Sequence, residues 1–197
     1  RFYLMTDDEQ NIPEQRDVEL VPHNPDWSLL ADEEAQLILE HISVPIIGIY
    51  HIGSTSIPGI KAKPILDFVI EVKNLDEIIQ SIEAFEEFGY CSKGEYGIPG
   101  RQFFTKDTHG ERSHHLHIFQ KGHPDIERHL VFRDFLRANP EAAHDYELIK
   151  EKLAKRFPKQ SSNYTEAKSD FILSMDEVAR YWLEQNKFRN KSEEPDS

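Results

Sequence analysis

The chain has 197 residues, of which 38% are hydrophobic and 11% aromatic, enough for one domain of ordinary size with its own core. Its net charge of −13 argues against a general nucleic-acid binder, which needs a basic surface, although it leaves room for a local basic pocket. A single cysteine, Cys91, excludes an internal disulfide framework and is typical of a reducing cytosol. No apolar run approaches the roughly 18–20 residues that span a bilayer, and the N-terminus lacks the apolar stretch of a signal peptide, so we expect a cytoplasmic protein without a membrane partner.

The first half of the chain alternates between helical and extended patterns behind a polar stretch, residues 1–17, that we expect to be flexible. Apolar residues recur at helical spacing from Trp27 to about His41, with Asp26 in the N-cap position. The other elements predicted here are strands at 18–21, 46–52 and 65–72 and an amphipathic helix from Leu75 to Phe88, ending at Gly89.

The second half of the chain begins with strands and is helical from about residue 124. The predicted elements are a hairpin of strands 101–106 and 113–119, helices at 125–138, 140–157 and 164–187, and a disordered tail at 188–197. Residues 18–187 are therefore expected to form a single domain. The order of the elements predicts an α+β fold in which helices pack on one mixed sheet.

The strand predicted at 65–72 carries its side chains to two different surfaces, since alternate residues point to opposite faces. Leu66, Phe68, Ile70 and Val72 share one apolar face, while Asp67, Val69 and Glu71 share the other. A carboxylate within a buried strand is costly without a partner or a purpose, so we assign a functional role to Asp67. Glu71 is ~13 Å farther along the strand, too far to bind the same ion, and is interpreted as a solvated strand end.

The loop Gly53-Ser54-Thr55-Ser56 between two strands has the composition of a phosphate-binding turn. Glycine lets the backbone approach a ligand closely, and consecutive N–H groups and hydroxyls can hold phosphate oxygens. An ordinary Gly/Ser turn is the alternative. The loop is not a Walker A motif, because five residues separate Gly53 from Gly59 and Ile60 precedes Lys61.

Two histidines, His115 and His117, alternate along the strand at 113–119 on the face opposite Leu116 and Ile118. If this strand lies beside the one that carries Asp67, imidazoles and a carboxylate converge on one surface of the sheet. Together with His51, such a cluster would serve either as a transition-metal site or as an acid–base site.

Cationic residues recur on two of the predicted helices. Arg128, His129 and Arg133 lie on adjacent helical positions, and Tyr164 and Lys168 are one turn apart at the start of the last helix. Surface salt bridges are the simpler interpretation. Beside a phosphate-binding loop, the same residues would form a cationic clamp.

In combination, these stretches resemble the signature of the GrpB (UPF0157) family. The resemblance covers roughly residues 18–180 and is carried by 51–59 (HIGSTSIPG), 62–67 (AKPILD), 114–119 (HHLHIF), Arg128-His129-Leu130, Phe132-Arg133-Asp134, Tyr164-Thr165 and Lys168. The resemblance implies a fold of the nucleotidyltransferase superfamily. It also connects the chain with dephospho-CoA kinases, to which GrpB domains are attached in some bacteria.

The superfamily pattern is a Gly-Ser loop after a strand, an Asp-x-Asp/Glu pair on the next strand and a third carboxylate on a later one. Gly53, Ser54 and Asp67 match it, but Val69 stands where the second carboxylate would be. The later strand offers His115 and His117 instead. The resemblance therefore implies that Asp67, His115 and His117 are the catalytic and metal-binding residues, with Mg²⁺ or Mn²⁺ expected ahead of Zn²⁺.

Two hypotheses follow from these observations. In the first, the protein binds a nucleotide or another phosphorylated small molecule with a metal and catalyses nucleotidyl or phosphoryl transfer. In the second, it is a non-catalytic ligand- or partner-binding module with a degenerate site. The predicted ligand-binding residues in either case are Gly53, Ser54, Thr55, Lys63, Arg128, Arg133, Tyr164 and Lys168.

Overall fold

The computed structural model describes residues 15–192, with side chains described as far as residue 186. The elements in chain order are α1 (Trp27–His41), β1 (Ile46–Ile52), a 3-10 turn (Ser54–Ser56), β2 (Leu66–Val72), α2 (Leu75–Gln80), α3 (Ile82–Glu87), β3 (Tyr90–Ser92), β4 (Arg101–Thr108), β5 (Glu111–Gln120), α4 (Pro124–Ala138), α5 (Pro140–Arg156) and α6 (Ser161–Ser192).

The five strands form one mixed sheet in the order β1-β2-β5-β4-β3. The central pair, β2 and β5, is parallel, and the other neighbours are antiparallel. In the parallel pair Asp67 lies opposite His115 and Val69 lies opposite His117. The register therefore places the polar residues of both central strands side by side on one face.

The main core lies on the opposite face of the sheet, beneath α1, α2 and α3. Phe68 and Ile70 of β2 and Leu116 and Ile118 of β5 are at most 1% exposed, as the alternation in the sequence predicts. His114, on the same face, lies with its ring 6.4 Å from Phe68 and 6.3 Å from Tyr90.

The face that carries Asp67 is also covered, though by a smaller apolar cluster. Val69 is fully buried there, in a cluster with Ile52, Phe119 and Ile126 of α4. A third cluster holds α4, α5 and α6 together around Phe135, Tyr146 and Ala179. The sheet is thus sandwiched between helices, and Asp67, His115 and His117 are among the polar residues of its second face.

The predicted fold class, an α+β protein with one mixed sheet, flanking helices and a C-terminal helical segment, is confirmed. Helix α1 and strand β1 have the predicted bounds. The last helix begins earlier than predicted, at Ser161, and its backbone continues to Ser192. The predicted flexible residues 1–14 and the tail from residue 193 lie outside the described residues.

Several local predictions are wrong, for reasons that lie in pairing and packing. Residues 18–21 form no strand, because only Val21 finds a partner, in an isolated bridge with Ala62. The single helix predicted over 75–88 is two short helices that meet at Ser81, whose N–H donates to Ile78 O. Asp26 occupies the N-cap position without a side-chain cap bond. Strand β3 was not predicted, since three residues are too few to show a period.

Within residues 15–192, no helix has both the length and the apolar character needed to cross a membrane.

Restoring a second carboxylate on β2 by Val69→Asp should destabilise the protein by several kcal/mol, because the side chain would be buried without a partner. Ile47→Asp, at a strand position that is 46% exposed, is the matched control and should change stability by less than about 0.5 kcal/mol. Urea unfolding of both variants gives the two free energies. A Val69→Asp protein as stable as the control would show that this position is open to water.

Candidate functional site

The centre of the site is a hydrogen bond between the two central strands. His115 Nδ1 lies 2.8 Å from Asp67 Oδ1, and the two side chains are 21% and 25% exposed. His117 lies two residues farther along the same face, with its ring 6.5 Å from that of His115. The structure therefore confirms that Asp67, His115 and His117 share one face of the sheet.

The partners of His115 identify its tautomer. Arg112 Nη1 is 3.4 Å from His115 Nε2, and since a guanidinium can only donate, Nε2 is the acceptor and Nδ1 carries the proton donated to Asp67. Arg112 is itself oriented by Asp107, at 2.6 Å from Nε to Oδ1. Burial alone would raise the pKa of Asp67, but the hydrogen bond from His115 and the nearby positive charges lower it to about 2. Asp67 is therefore a carboxylate at every physiological pH.

The Gly-Ser loop lies directly against this carboxylate. Gly53 has φ +70° and ψ −174°, a conformation that favours glycine. A Cβ atom added to Gly53 would lie 2.5 Å from Asp67 Oδ2, well inside van der Waals contact. Glycine is therefore required at position 53 for two reasons, the positive φ of the backbone and the close approach of the loop to Asp67. This proximity of loop and carboxylate agrees with the sequence pattern.

The hydroxyls of the loop serve different purposes. Thr55 is 2% exposed, and its Oγ1 donates to Ile65 O at 3.2 Å and accepts from His51 Nε2 at 2.9 Å. Ser54 Oγ instead donates to the hydroxyl of Tyr146 at 3.4 Å. Of these two predicted phosphate ligands, Thr55 is committed to holding the loop in place, whereas Ser54 faces the helices that border the site.

Two lysines approach the same aromatic ring beside Asp67. Lys63 Nζ lies 5.4 Å and Lys168 Nζ 5.5 Å from the centroid of the Tyr164 ring. Burial, reinforced by the charge of Lys168, lowers the pKa of Lys63 to about 8. Burial also acts to lower the pKa of Lys168, but Tyr146, Tyr164 and Asp67 outweigh it and raise that pKa. Three of the predicted ligand-binding residues, Lys63, Tyr164 and Lys168, are thus brought together.

The other two predicted ligand-binding residues, Arg128 and Arg133, pair with groups other than Asp67. Arg128 pairs with Asp125 at 2.7 Å and with Asp176 at 3.3 Å. Arg133 donates to His51 O at 3.1 Å and pairs with Asp134 at 2.8 Å. Both arginines tie α4 to neighbouring elements, so the structure does not bring them to the carboxylate.

His117 belongs to a half-buried group of side chains next to the site. Its Nδ1 accepts from Arg101 Nη1 at 3.2 Å, and its ring lies 5.4 Å from that of His129. Burial and the neighbouring charge of His129 lower the pKa of His117 well below its usual value. Burial, followed by Arg128, lowers the pKa of His129 to about 4. These imidazoles are therefore neutral at pH 7.

The fit of a divalent metal to this site depends on Asp67. No group of three or more His, Cys, Asp or Glu side chains is arranged to hold a metal ion within the part of the chain described here. His115 and His117 each have a ring nitrogen engaged by other side chains. Asp67 is therefore the donor of this site that a divalent ion could use, and Mg²⁺ typically takes one or two carboxylates and completes its shell with water and substrate phosphates.

Sequence reasoning missed two residues that border the site. Arg112, which fixes the tautomer of His115, directly precedes the histidine-rich segment and could have been suspected from that position. Tyr146 of α5 meets both Ser54 and Lys168, but no sequence pattern distinguishes it from an ordinary core aromatic.

The short loop between β1 and β2 predicts that Gly53 and Ser54 lie at the edge of a cleft that contains Asp67, and neither of two surface depressions on the described residues is that cleft. The two depressions, lined by Asp32, Glu33, Gln36 and Leu37 and by Glu71, Gly122, His123, Pro124, Ile126, Glu127 and Leu130, lie elsewhere. Access to the site is shown instead by the partial exposure of Asp67 and His115.

A family model described as GrpB protein matches residues 17–177. This chain belongs to the GrpB family. The UPF0157 protein YqkA of Bacillus subtilis is 42% identical to it over 168 residues, which are 85% of this chain and 49% of YqkA. This GrpB-family chain thus spans about half the length of that relative.

Among solved structures, the crystal structure of GrpB from Enterococcus faecalis has a TM-score of 0.77 and 35% sequence identity, covering 83% of this chain and 99% of that one. The predicted family and its fold are therefore confirmed. The poly(U) polymerase Cid1 is a more distant structural neighbour, with a TM-score of 0.49 and 14% identity over 68% of this chain and 44% of that one.

Gly53→Ala should destabilise this GrpB-family protein more than Gly59→Ala does. Both glycines have positive φ, +70° and +81°, but a Cβ meets Asp67 only at Gly53 and nothing within 4 Å at Gly59. The backbone strain alone costs about 1–3 kcal/mol at either position. In an Asp67→Ala background the excess cost of Gly53→Ala should shrink. Chemical denaturation of the parent protein, the three single variants and the Gly53→Ala/Asp67→Ala double variant measures this coupling, and equal costs for both glycines would contradict the contact.

The free energy of unfolding should fall as the pH drops from about 6.5 to about 4. His51 and His129 both have a pKa of about 4 in the folded state, each lowered first by burial, so the unfolded chain takes up their protons earlier. The stability given by the neutral forms is complete above the unfolded value of about 6.5 and is lost on acidification.

His129→Gln should reduce this dependence, because glutamine keeps an acceptor for Arg128 Nη2 without taking up a proton. His144→Gln, at a side chain that is 64% exposed, is the control. Urea unfolding across this pH range gives, for both variants, the slope of the free energy of unfolding against pH. The interpretation fails if the two variants show the same slope.

Proposed function

We propose that this GrpB-family protein binds a nucleotide or another phosphorylated small molecule, together with a divalent metal, at the surface formed by Asp67, His115, Lys63 and Lys168. We call these four residues the Asp67 site. The chain's net charge of −13 makes any local concentration of positive charge informative, because most of the surface repels anions.

The observation that supports this proposal most directly is the pair of lysines at Tyr164. Their ammonium groups lie over the same ring, and neither forms an ion pair with a carboxylate of residues 15–186. Burial first, and then the charge of Lys168, lowers the pKa of Lys63, so the repulsion between the two ammonium groups contributes to that lowering. A phosphate between the two lysines would offset that repulsion, with Ser54 on the adjacent loop as a further donor.

Asp67 and His115 supply the chemistry at this site. Asp67 is the carboxylate that would hold Mg²⁺ or Mn²⁺, which would supply charge neutralisation at the phosphate oxygens. Asp67 also holds His115 in the tautomer whose Nε2 carries the lone pair. In that tautomer Nε2 accepts a hydrogen bond from Arg112, so His115 can take up a proton there once a ligand has displaced that guanidinium, while the carboxylate stabilises the imidazolium that forms. Phosphoryl or nucleotidyl transfer is the reaction class that these groups suit.

The burial of Val69 favours the second hypothesis, a ligand-binding module without catalysis. Two-metal transfer needs carboxylates that bridge or hold both ions, and the position two residues after Asp67 is filled by a side chain in an apolar cluster. Binding at the Asp67 site is common to both hypotheses, so binding is what should be tested first.

Lys168→Met should weaken binding of ATP and UTP by about tenfold or more, because it removes a charged partner of the phosphates worth about 1.5–3 kcal/mol. Asp67→Asn should leave metal-free binding intact but abolish the gain in affinity from Mg²⁺ or Mn²⁺, since the amide keeps the shape without the charge. Calorimetric titration measures both effects, and saturating ligand at about 100 times Kd should raise stability by about 2.7 kcal/mol.

Lys152→Met, at an exposed lysine of α5, is the matched control and should bind as the parent protein does. The absence of any nucleotide or tripolyphosphate binding to the parent protein, with or without metal, would refute the proposal. In that case a module that binds another partner would remain.

A further inference from the structure

One tyrosine lies between the loop and the helix that border the Asp67 site. Tyr146 of α5 is 3% exposed, and its hydroxyl accepts a hydrogen bond from Ser54 Oγ of the Gly-Ser loop at 3.4 Å. The same hydroxyl is a hydrogen-bond partner of Lys168 on α6. The loop and α6, which are far apart in the sequence, therefore meet at one oxygen atom.

The packing around the Tyr146 ring fixes the position of this oxygen. Phe171 of α6 stacks on the ring, with centroids 5.9 Å apart and planes 5° apart, and Phe132 of α4 meets it edge-on at 5.5 Å. Lys150, one turn farther along α5, places its Nζ 4.8 Å from the ring centroid. Because side chains of three helices hold the ring, its hydroxyl has a defined position relative to the loop.

The ammonium group of Lys168 depends on this hydroxyl. An ammonium can only donate, so the Tyr146 oxygen is the acceptor, and two further N–H groups of Lys168 stay available for a ligand. Burial lowers the pKa of Lys168, and Tyr146 is the first of the groups that outweigh this effect and raise it. Tyr146 therefore orients the ammonium and helps to keep it charged at a half-buried position.

We propose that Tyr146 is a positioning residue for the phosphate site, which holds Ser54 and Lys168 where both can donate to one phosphate group. This inference rests on the proposed function and extends it, because it names the group that links the loop to α6. Rotation about the Cβ–Oγ bond would turn the Ser54 hydrogen from Tyr146 to the phosphate without moving the oxygen. Side chains that are held in place before the ligand arrives lose less conformational entropy when it binds.

Tyr146→Phe tests this role, because it removes the hydroxyl and retains the ring with its packing. Binding of ATP and of inorganic tripolyphosphate, measured by calorimetry, should weaken by about threefold to tenfold for both ligands, as expected for the loss of one hydrogen bond. Tyr90→Phe is the matched control. Tyr90 is 2% exposed and donates to Glu34 Oε1 at 2.6 Å on the other face of the sheet, so this variant loses an equally buried hydroxyl and should bind as the parent protein does.

Two further measurements separate positioning from a purely structural role. In a Lys168→Met background, Tyr146→Phe should weaken binding by a smaller factor than in the parent protein, because the hydroxyl acts through the lysine. In the ligand-free protein, the ¹³Cζ NMR signal of Tyr146, identified by its absence from Tyr146→Phe, should shift in Ser54→Ala and in Lys168→Met. This carbon reports the hydrogen-bond partners of the hydroxyl, so the shift tests the contacts independently of any ligand.

Three results would overturn the positioning role while leaving the phosphate site standing. They are equal ligand binding by Tyr146→Phe and Tyr90→Phe, an equal loss of affinity on Tyr146→Phe with and without Lys168, and an unchanged Tyr146 signal in both Ser54→Ala and Lys168→Met. Failure of the parent protein to bind either ATP or tripolyphosphate would overturn the proposed function and this inference together.

Discussion

The hydrogen bond between Asp67 and His115 depends on one feature of the backbone, the parallel pairing of β2 and β5 at the centre of the sheet. In a parallel pair the residues of one face stay in step along both strands, so this register also sets Val69 against His117. The Gly53 loop must then come within contact of Asp67, which only a glycine allows at that point. The loop, the carboxylate and the imidazole form one unit because the two central strands run in the same direction.

Electrostatics divide this face of the sheet into two parts. Around Asp67 the groups are charged, with a carboxylate beside Lys63 and Lys168 and partial access to water. Farther along, His117 and His129 are half-buried and neutral at pH 7, held beside Arg101 and Arg128. Charged groups that keep contact with water retain their charge at low cost, whereas buried imidazoles give up theirs. The ligand site proposed for this GrpB-family protein therefore lies at the charged groups of Asp67, Lys63 and Lys168. The neutral histidines lie next to it.

The position of Val69 relates the fold to the chemistry. A nucleotidyltransferase pattern needs a second carboxylate there, but α4 covers this part of the sheet and makes the position a core site. A substitution that restored the carboxylate would have to displace apolar packing, so the site cannot regain a second acidic ligand by one change on β2. The remaining polar groups, Ser54, Tyr146 and Lys168 among them, come from the loop and from the C-terminal helices. The polar groups of the proposed ligand site therefore come from elements that are far apart in sequence.

The sequence by itself determined the family, the α+β class, the extent of β1 and α1, and the face of the sheet on which Asp67, His115 and His117 lie, because period-2 and period-3.6 patterns and short motifs are local properties of the chain. It misjudged the strand at 18–21 and the unbroken helix at 75–88, since a strand exists only where a partner pairs with it and a helix ends where packing turns the chain. It grouped Arg128 and Arg133 with the lysines on the basis of helical spacing and the family motifs, which do not show which carboxylates these arginines pair with. Only the tertiary structure decided that Lys63 meets Lys168 over Tyr164, that Tyr146 and Arg112 border the site, and that Val69 is buried among apolar side chains. These are contacts between residues distant in sequence, and they depend on how the helices pack on the sheet.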